Sequence, residues 1–562
     1  MLPFFIESLS FSGGQTVPLE RGTTLLLVGP NNSGKSAALR EVSSHLAYPS
    51  ERPNEVVLRD ISFSHVFSSS ELLTWLVEYH VAESTSAGVI RITMPQGGMW
   101  QASATSSLES MMPMAHRLLI RRLDTESRLT YANSVGPIDV YREVPRAPIH
   151  WLQRRESLGK EVSEVVRSAF GEELIINWGR GSSVGFHVGT EPARSLEQDR
   201  VSQRYLEELN RVPRLEELGD GIRSFVSSVL AAKVGAHPIV LIDEPEAFLY
   251  PTQAWRLGQF LAKEIGEQRR QAIIATHSPD VIRGVLQGSS SVAICRIERK
   301  ENVNNACVLD TRALRELWSS PLLQSSQAIS GLFHEGVAIC EADSDCRVYG
   351  AIVSAIDKTL SKPADLYFVH GGGKGALASL AKAYTALSVK TAVIADLDLL
   401  RNADEFFAVY ENLGGSRPGI DSSYRVTASA LGAQGPILSL SQFLSKTRMV
   451  LETIENEKQL AVAHRRKIQE LLDSAGDWSD AKRYGTDKLQ GSNNTAATAL
   501  LEACARVGLF LVPKGELESW WRAGPSDKRE WVSAALEQIS RDPAPFDQCE
   551  QFMRKVCGYF GY

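Results

Sequence analysis

Several features of membrane and extracellular proteins are missing from this sequence of 562 residues. No run of apolar residues is long enough to cross a bilayer. The apolar start, Met1–Ile6, lacks the basic segment and the cleavage site of a signal peptide. All seven cysteines lie from Cys295 onward without a C-x-x-C pair, which argues against a disulfide framework and a structural zinc site. These absences predict a cytoplasmic protein that does not enter a membrane.

An excess of basic charge is missing too, as are internal repeats and low-complexity tracts. Lysine and arginine number 60 against 66 aspartates and glutamates, a formal net charge of −6. No global basic field would therefore attract nucleic acid. The hydrophobic fraction of 43% and the charged fraction of 22% are ordinary for globular chains, which excludes wholesale disorder and a collagen-like chain.

The apolar pattern predicts two α/β domains, because short buried strands alternate with helical stretches in both halves of the chain. The predicted strands are Thr23–Val28, Pro238–Ile242, Gln271–Ala275, Gly336–Cys340, Leu366–Val369 and Thr391–Ala395. We expect a first domain over 1–330, with an inserted region of mixed structure at about 53–214. A smaller second domain is expected over 331–562, with a helical insertion at about 420–500.

The segment Gly29–Ser36 matches the phosphate-binding pattern G-x-x-x-x-G-K-[ST] at every fixed position. Its glycines let successive backbone N–H groups face the phosphates, and the following helix offers its positive N-terminus to the same anion. Lys35 is predicted to reach the β- and γ-phosphates, and the Ser36 hydroxyl to ligate Mg²⁺. The predicted ATP-binding residues of this loop are Gly29, Asn31, Asn32, Gly34, Lys35 and Ser36.

Two later strand ends supply partners for this loop. Asp243 is predicted to hold the Mg²⁺ shell, and the adjacent Glu244 to polarise the attacking water. His277 ends the next strand and is predicted to hydrogen-bond the γ-phosphate. A strand ending in two acids is weak evidence alone, so the assignment depends on its combination with the phosphate-binding loop.

A second group of acids lies at strand ends of the second domain. Glu341 and Asp345 flank a strand-to-helix junction, and Asp396 and Asp398 lie two apart at another strand end. Residues i and i+2 of a strand face the same way, so both aspartates project into one site. Such oxygen ligands suit one or two Mg²⁺ or Mn²⁺ ions, which would act on a phosphodiester. The alternative is a solvated acidic rim.

The motif order in the first domain resembles the ABC-type ATPase heads of the SMC/Rad50 class. The motifs are, in order, Gly29–Ser36, Leu218–Gly221, Asp243–Glu246 and Ala275–Pro279. The resemblance implies that Gly219, Asp220 and Gly221 form a signature loop, which closes over the ATP of the opposite subunit. It therefore implies a homodimer, or a higher homo-oligomer, with composite ATP sites. Asp220 and Tyr250 depart from the family pattern, which usually has Ser and His there.

The acidic segments Glu341–Asp345 and Asp396–Asp398 resemble a Toprim domain. An ATPase head followed by these motifs is similar to the OLD-family (overcoming lysogenization defect) nucleases. That resemblance gives Glu341 a catalytic role besides metal binding. It implies that a late acid, Glu518 with Glu516 as the alternative, completes the metal site, and that Lys514 stabilises the phosphate in the transition state.

Two residues of the second domain depart from the OLD-family pattern. Ala342 stands where Gly is common, and Leu400 stands where a small polar residue often follows the Asp-x-Asp motif. The second change would weaken a second metal site and would fit a substrate other than duplex DNA.

These observations lead us to expect an ATP-hydrolysing, metal-dependent endonuclease in which an ABC-type ATPase dimer controls a Toprim site. The resemblance implies DNA as the favoured substrate, a role in anti-phage defence, and room for a separate partner protein of such a system. Two alternatives stay open. One is a Toprim ribonuclease, such as a tRNA-cleaving effector released by an ATPase sensor. The other is an ATP-dependent DNA-binding scaffold with a catalytically inactive second site.

Contacts with nucleic acid are expected from local basic patches, with an affinity that falls as salt rises. The candidates for phosphate contacts are Arg121–Arg122, Arg154–Arg155 and Arg465–Lys467, with a solvated surface as the alternative for each. Trp520–Trp521 is a candidate for stacking on a base, with packing in the core as its alternative.

Overall fold

In the computed structural model, the chain divides into two units, Met1–Phe333 and His334–Tyr562. The residues that the structure describes are 3–45, 57–79, 82–84, 89–93, 99–103, 105–143, 145–178, 182–194, 199–234, 237–309, 326–432, 439–454, 464, 468, 471–472, 478–525 and 527–562. The predicted basic cluster Arg465–Lys467 lies outside these residues.

A six-stranded sheet forms the centre of the first unit. Its strands lie in the order Val303–Leu309, Val292–Lys300, Thr24–Val28, Gln271–Ala275, Ile239–Asp243 and Ile120–Leu123. All neighbours are parallel except the first pair. Every residue of Thr24–Val28 and Gln271–Ala275 is buried, as expected for parallel strands covered on both faces. The three strands that carry the nucleotide motifs are adjacent, so their carboxyl ends meet at one edge of the sheet.

The other strands described for the first unit form three smaller antiparallel sheets. They are Thr16–Pro18, Phe4–Phe11 and Leu58–His65 in one sheet, Glu173–Ile176 and Phe186–Gly189 in a second, and Ala82–Ser84, Val89–Thr93 and Met99–Ser103 in a third. Within the region predicted as an insertion, Leu58–His65 pairs with Phe4–Phe11. In the same region, Ile120–Leu123 extends the main sheet by pairing with Ile239–Asp243. Part of that region therefore belongs to the sheets of the first unit.

Helices pack against the strands of the first unit. The α-helices described for the first unit are Lys35–Ser44, Ser69–Tyr79, Leu108–Leu119, Thr125–Thr130, Pro148–Arg154, Glu156–Phe170, Gln203–Leu209, Asp220–Lys233, Pro251–Glu267, Pro279–Gly288 and Ser326–Ser330, with 3₁₀ turns at Leu215–Glu217 and Gly331–Phe333. Across the described parts of both units, no helix combines the length and the apolar composition that a membrane span requires.

A parallel four-stranded sheet forms the centre of the second unit. Its order is Leu366–His370, Gly336–Cys340, Lys390–Ala395 and Leu509–Leu511. The central strand Gly336–Cys340 is buried throughout and has the predicted bounds. The fourth strand, Leu509–Leu511, brings a late part of the chain beside Lys390–Ala395. Residues that follow it therefore reach the same edge of the sheet as the predicted metal ligands.

Helical segments surround this second sheet. The α-helices are Asp343–Ile356, Leu377–Ala386, Ala403–Asn412, Asp421–Gly432, Leu440–Ile454, Ser479–Tyr484, Gly491–Arg506, Lys528–Arg541 and Asp547–Phe560, and the 3₁₀ turns are Asp357–Thr359, Lys374–Ala376, Leu397–Arg401, Arg417–Gly419, Gly485–Lys488, Leu517–Trp520 and Ala544–Phe546. The α/β class predicted for both halves of the chain is confirmed.

A buried histidine lies in the core of the first unit. His116 is fully buried, and its ring meets the rings of Phe4 and Phe63 edge-on, with centroid distances of 6.1 and 5.2 Å. Among the described residues, neither ring nitrogen has a hydrogen-bond partner. Burial lowers the pKa of His116 from 6.5 to about 3. The core therefore holds this imidazole in its neutral form.

The stability of the first unit is expected to fall as the pH drops below 6.5. Between this pH and about 3, the unfolded chain binds a proton at His116 and the folded chain does not. Unfolding is then favoured by about 1.4 kcal/mol for each pH unit from this group. The variant His116→Phe should lose this part of the pH dependence, which melting curves from pH 8 to 4 would measure. Equal slopes for the variant and the wild type would contradict the prediction.

Candidate nucleotide and metal sites

The phosphate-binding loop connects a buried strand to the helix that begins at Lys35. Gly29, Asn32 and Gly34 have positive φ angles of 138°, 61° and 98°, which glycine and, to a lesser degree, asparagine accept. A Cβ atom on Gly29 would lie 2.1 Å from the carbonyl oxygen of Ile297. The glycine is therefore required by close backbone approach as well as by its φ angle.

Lys35 is folded back into its own loop. Its ammonium donates to the carbonyl oxygens of Gly29 and Pro30, both at 2.9 Å, and to the Ser33 hydroxyl at 3.3 Å. Burial lowers the pKa of Lys35 to about 8, although the negative charge of Glu244 acts in the opposite direction. The loop thus holds a buried cation at the position where the motif predicts the β- and γ-phosphates.

Ser36 and Asp243, the two predicted Mg²⁺ ligands of the nucleotide site, are in direct contact. The Ser36 hydroxyl donates to Oδ1 of Asp243 at 2.9 Å. Burial raises the pKa of Asp243, and the hydrogen bond from Ser36 acts against this shift. Both side chains present the hard oxygen atoms that Mg²⁺ prefers, so the pair fits the ion that accompanies ATP.

Glu244 and His277 face each other at the ends of neighbouring strands, with 3.7 Å between Oε1 of Glu244 and Nε2 of His277. Glu244 has a φ of 48°, and its N–H donates to the carbonyl of Ala275 at 2.8 Å. Burial, with help from the charge of Lys35, lowers the pKa of His277 to about 4. The imidazole is therefore neutral near pH 7 and can donate one hydrogen bond.

Glu246 is a half-buried acid that contacts the segment carrying His277. Its Oε1 accepts hydrogen bonds from the His277 N–H at 2.7 Å and from the Thr276 hydroxyl at 2.8 Å. Burial raises the pKa of Glu246, while the bond from His277 lowers it. Glu246 therefore positions the segment that carries His277.

Arg128 is a residue of this site that the sequence analysis missed. The fully buried guanidinium donates to the carbonyl oxygens of Asp243 and Glu244, the latter at 2.8 Å. It also donates to the Ser224 hydroxyl at 3.0 Å. Ser224 lies on the helix Asp220–Lys233, which begins at the signature loop. Arg128 thereby connects that helix to the end of the acidic strand. No local motif marks this arginine.

We expect Arg128→Lys to lower the kcat of ATP hydrolysis about ten- to hundredfold with little change in ATP affinity. A lysine ammonium lacks the planar fork that holds two carbonyl oxygens and a hydroxyl together, and a small displacement of Glu244 would slow the reaction. Phosphate-release kinetics would separate kcat from KM, and the exposed Arg204→Lys serves as the matched control. A loss confined to ATP affinity would contradict this positioning role.

The predicted signature-loop residues lie at the start of the helix Asp220–Lys233, with Gly219 at its N-cap. Gly219 and Gly221 line a cavity of about 630 Å³ together with Phe248 and Tyr250. These two aromatic side chains are 53% and 75% exposed. Among the described residues, the lining of this cavity includes no member of the phosphate-binding loop.

Three predicted metal ligands of the second unit converge. Glu341, Asp396 and Asp398 each present one carboxylate oxygen, and these atoms lie within 4.8 Å of one another. We call these three residues the carboxylate cluster. Glu341 follows the strand Gly336–Cys340 and Asp396 follows Lys390–Ala395, which pair in parallel. The Asp396 N–H donates to Oε1 of Glu341 at 3.0 Å. Parallel pairing thus brings acids from two strand ends to one point.

The electrostatics of the carboxylate cluster fit a divalent cation. Burial raises the pKa of Glu341 to about 7. Burial and the charge of Glu341 raise the pKa of Asp396 well above its usual value. A cation among these oxygens would stabilise their ionised forms and reverse both shifts. The hard oxygen donors fit Mg²⁺ or Mn²⁺.

Asp345 and the two late acids form a neighbouring group. Oδ2 of Asp345 accepts the Ala342 N–H at 3.0 Å, and burial raises its pKa, with a smaller contribution from the charge of Glu518. Burial and the charge of Glu518 also raise the pKa of Glu516. Glu516 and Glu518 therefore both lie near the predicted ligands, although the sequence analysis favoured Glu518.

Lys514, which was predicted to stabilise a substrate phosphate, has an acidic side chain as its partner in this structure. Its ammonium lies 2.7 Å from Oδ2 of Asp487. The backbone beside it abuts the Asp-x-Asp segment, because the Leu397 N–H donates to the carbonyl of Gly515 at 2.8 Å. The phosphate-stabilising role of Lys514 stays a prediction.

Other lysines contact the acids. Lys374 and Lys482 both pair with Asp398, the latter at 3.1 Å. Lys528 pairs with Glu518 at 2.9 Å. The sequence signal for Lys374 was its glycine-rich loop between the two acidic strand ends, whereas no local pattern marked the other two lysines.

Three arginines of the predicted basic clusters, Arg121, Arg122 and Arg154, have intramolecular partners. Arg121 stacks on the Tyr131 ring at 4.3 Å from its centroid, and Arg122 pairs with Asp124 at 2.7 Å. Arg154 donates to backbone carbonyls. Trp520 is buried in the core of the second unit. Positive charge near the carboxylate cluster comes instead from the lysines.

Together, the phosphate-binding loop with its acids and histidine defines a P-loop ATPase domain, and the carboxylate cluster on a parallel sheet defines a Toprim-type site. Family models match both. Residues 177–283 match "AAA domain, putative AbiEii toxin, Type IV TA system", and residues 332–398 match "Overcoming lysogenization defect protein-like, TOPRIM domain". The chain joins an ATPase domain to an OLD-like Toprim domain, so the predicted OLD-family resemblance and fold class are confirmed.

Parts of this chain are similar to known proteins. The Old nuclease of Escherichia phage P2 is 28% identical over 173 residues, which are 30% of this chain and 29% of that protein. The chain therefore matches less than a third of that relative's length. Similar solved structures include an Smc head bound to the C-winged helix domain of ScpA, with 15% identity, a TM-score of 0.32 and coverage of 54% of this chain and 98% of that one. Another is the SMC head domain from Thermotoga maritima, with 12% identity, a TM-score of 0.28 and coverage of 55% and 98%.

Proposed function

We propose that this protein is an ATP-hydrolysing, metal-dependent endonuclease in which an ABC-type ATPase dimer controls a Toprim phosphodiesterase site. The observation that carries the proposal is the presence of two chemically distinct sites in one chain. The first unit assembles a lysine, a serine, two acids and a histidine around a phosphate-binding loop. The second unit assembles the carboxylate cluster.

In the ATPase reaction, Lys35 exchanges the loop carbonyls for the β- and γ-phosphates of ATP. Ser36 and Asp243 hold the accompanying Mg²⁺. Glu244 accepts a proton from the attacking water, since its carboxylate is nearly half exposed at the strand end. His277, being neutral, donates a hydrogen bond to the γ-phosphate, where negative charge develops.

In the nuclease reaction, Glu341, Asp396 and Asp398 would hold one divalent cation, with Asp345 and Glu518 available for a second. Such a cation would supply Lewis-acid chemistry for the phosphodiester and for the attacking water. The surrounding protein supplies a buried acidic floor for the ion and a rim of lysines for the substrate phosphates. We take Mg²⁺ as the favoured ion and Mn²⁺ as the alternative.

We propose a homodimer in which the signature loop of each chain closes over the ATP of the other. The exposed Phe248 and Tyr250 support this arrangement, because they flank the signature loop and offer apolar area to a second copy. Hydrolysis would then open the dimer, which gives ATP a means to control the second unit.

We take DNA as the favoured substrate and tRNA as the alternative substrate. The remaining alternative is an ATP-dependent DNA-binding scaffold whose second site is catalytically inactive. A role in defence against phage, with or without a separate partner protein, rests on the OLD-family resemblance. The name of the phage P2 relative supports nuclease activity over the scaffold reading.

One assay separates these readings. The full chain would be incubated with plasmid DNA and, separately, with total tRNA, in Mg²⁺ or Mn²⁺, with and without ATP. We expect DNA cleavage that is lost in Asp396→Ala. Cleavage of tRNA alone would favour the ribonuclease, and intact ATP hydrolysis with no cleavage of either substrate would overturn both nuclease readings.

A further inference from the structure

Asp398, a member of the carboxylate cluster, forms ion pairs with two lysines. Lys374 contacts its Oδ1 and Lys482 lies 3.1 Å from its Oδ2. Ammonium groups therefore contact both carboxylate oxygens of Asp398, which are oxygens that a divalent cation would need.

The two lysines contact different oxygens of Asp398. An oxygen of Asp398 lies within 4.8 Å of oxygens of Glu341 and Asp396. Lys374 therefore contacts a member of the group of carboxylates that would hold a divalent cation. A divalent cation bound there would meet the ammonium of Lys374 at close range, and two cations repel one another.

Lys374 also has room to move away. It follows Gly372 and Gly373, whose φ angles are 75° and 140°. A Cβ atom on either glycine would meet no described atom within 4 Å, so the turn borders open space. The Lys374 side chain is 27% exposed. An ammonium expelled from Asp398 can therefore reach solvent, or a phosphate of a bound substrate, without rearrangement of the sheet.

We propose that Lys374 competes with the divalent cation for Asp398 and turns to the substrate phosphate when the cation binds. Lys374 is then a positioning residue that couples metal loading to phosphate binding. This inference rests on the proposed nuclease function.

The test measures binding with the full chain. In Lys374→Met, which keeps a long unbranched side chain without charge, we expect the affinity for Mn²⁺ to rise about tenfold because the competing charge is gone. Affinity for duplex DNA or tRNA in Ca²⁺ should fall severalfold, because a phosphate contact is lost. Electron paramagnetic resonance of Mn²⁺ and fluorescence anisotropy of labelled nucleic acid report the two quantities.

Two control variants make the outcome decisive. Lys374→Arg should restore wild-type affinity for Mn²⁺, and Lys362→Met, at an exposed lysine of the same unit, should change neither quantity. An unchanged or weaker Mn²⁺ affinity in Lys374→Met, or an unchanged affinity for nucleic acid, would overturn the inference. Failure of the wild type to bind Mn²⁺ would instead contradict the proposed nuclease function.

Discussion

Replacement of Glu244 by glutamine is expected to stop ATP turnover and to leave ATP binding intact. Glutamine keeps the size of the side chain but cannot accept a proton from water, and loss of a general base costs about 10²–10⁴-fold in rate. Lys35 and Ser36 are unchanged, so the nucleotide still binds. Phosphate release and the binding of a fluorescent ATP analogue would measure the two effects.

The Glu244→Gln variant also tests the proposed dimer. If the signature loop of a second chain closes over ATP, unhydrolysed ATP should hold two chains together, and the variant should elute as a dimer only when ATP is present. Lys35→Ala should lose binding, turnover and this dimer, because its ammonium is the group predicted to hold the phosphates. The exposed Glu267→Gln is the matched control. Normal hydrolysis in Glu244→Gln would show that another group accepts the proton.

Replacement of Glu341 by glutamine is expected to lower nucleic-acid cleavage about a thousandfold or more. The cation at this site is expected to contribute several kcal/mol of transition-state stabilisation, and each 1.4 kcal/mol corresponds to a factor of ten in rate. Glu341 is central to the carboxylate cluster, and an amide there removes one of its negative charges. Initial rates of plasmid or tRNA cleavage, with Mn²⁺ titrations beside them, would measure the change.

Asp343→Asn is the matched control for this experiment. Asp343 lies two residues further along the same junction, but its side chain is 62% exposed and lies outside the carboxylate cluster. We expect near-normal cleavage in Asp343→Asn and normal ATP hydrolysis in both variants. Equal losses in the two variants would mean that the general negative charge of this edge, rather than ion coordination, supports cleavage.

Local patterns in the sequence were sufficient to predict the phosphate-binding loop of the first site and the strand-end acids of the second. The glycines of Gly29–Ser36 reflect backbone angles and close contacts that few residues other than glycine accept, so the loop is recognisable without its surroundings. Apolar runs such as Gly336–Cys340 predict buried strands, and parallel strands place their carboxyl ends at one edge. For this reason the convergence of Glu341 with Asp396 could be predicted.

The net charge of −6 proved a poor guide to the local field around the second site. Acids such as Asp396 are concentrated at a buried edge, where a divalent cation would reverse their effect. Lys374, Lys482 and Lys528 lie beside these acids, and each forms an ion pair with a carboxylate. Overall composition averages over such groups, whereas nucleic acid would respond to the charge within a Debye length.

The two α/β units, the phosphate-binding loop and the acids at the strand ends could be predicted from the amino-acid pattern, because they depend on short-range sterics and on the periodicity of burial. The contacts of Arg128, the pairing of Lys374 with Asp398 and the position of Lys514 beside Asp487 required the folded chain. Each of these depends on which distant segments pack together, as when Ile120–Leu123 joins the main sheet. The partner of a buried charge depends on which distant segments pack beside it, and no local sequence pattern encodes that packing.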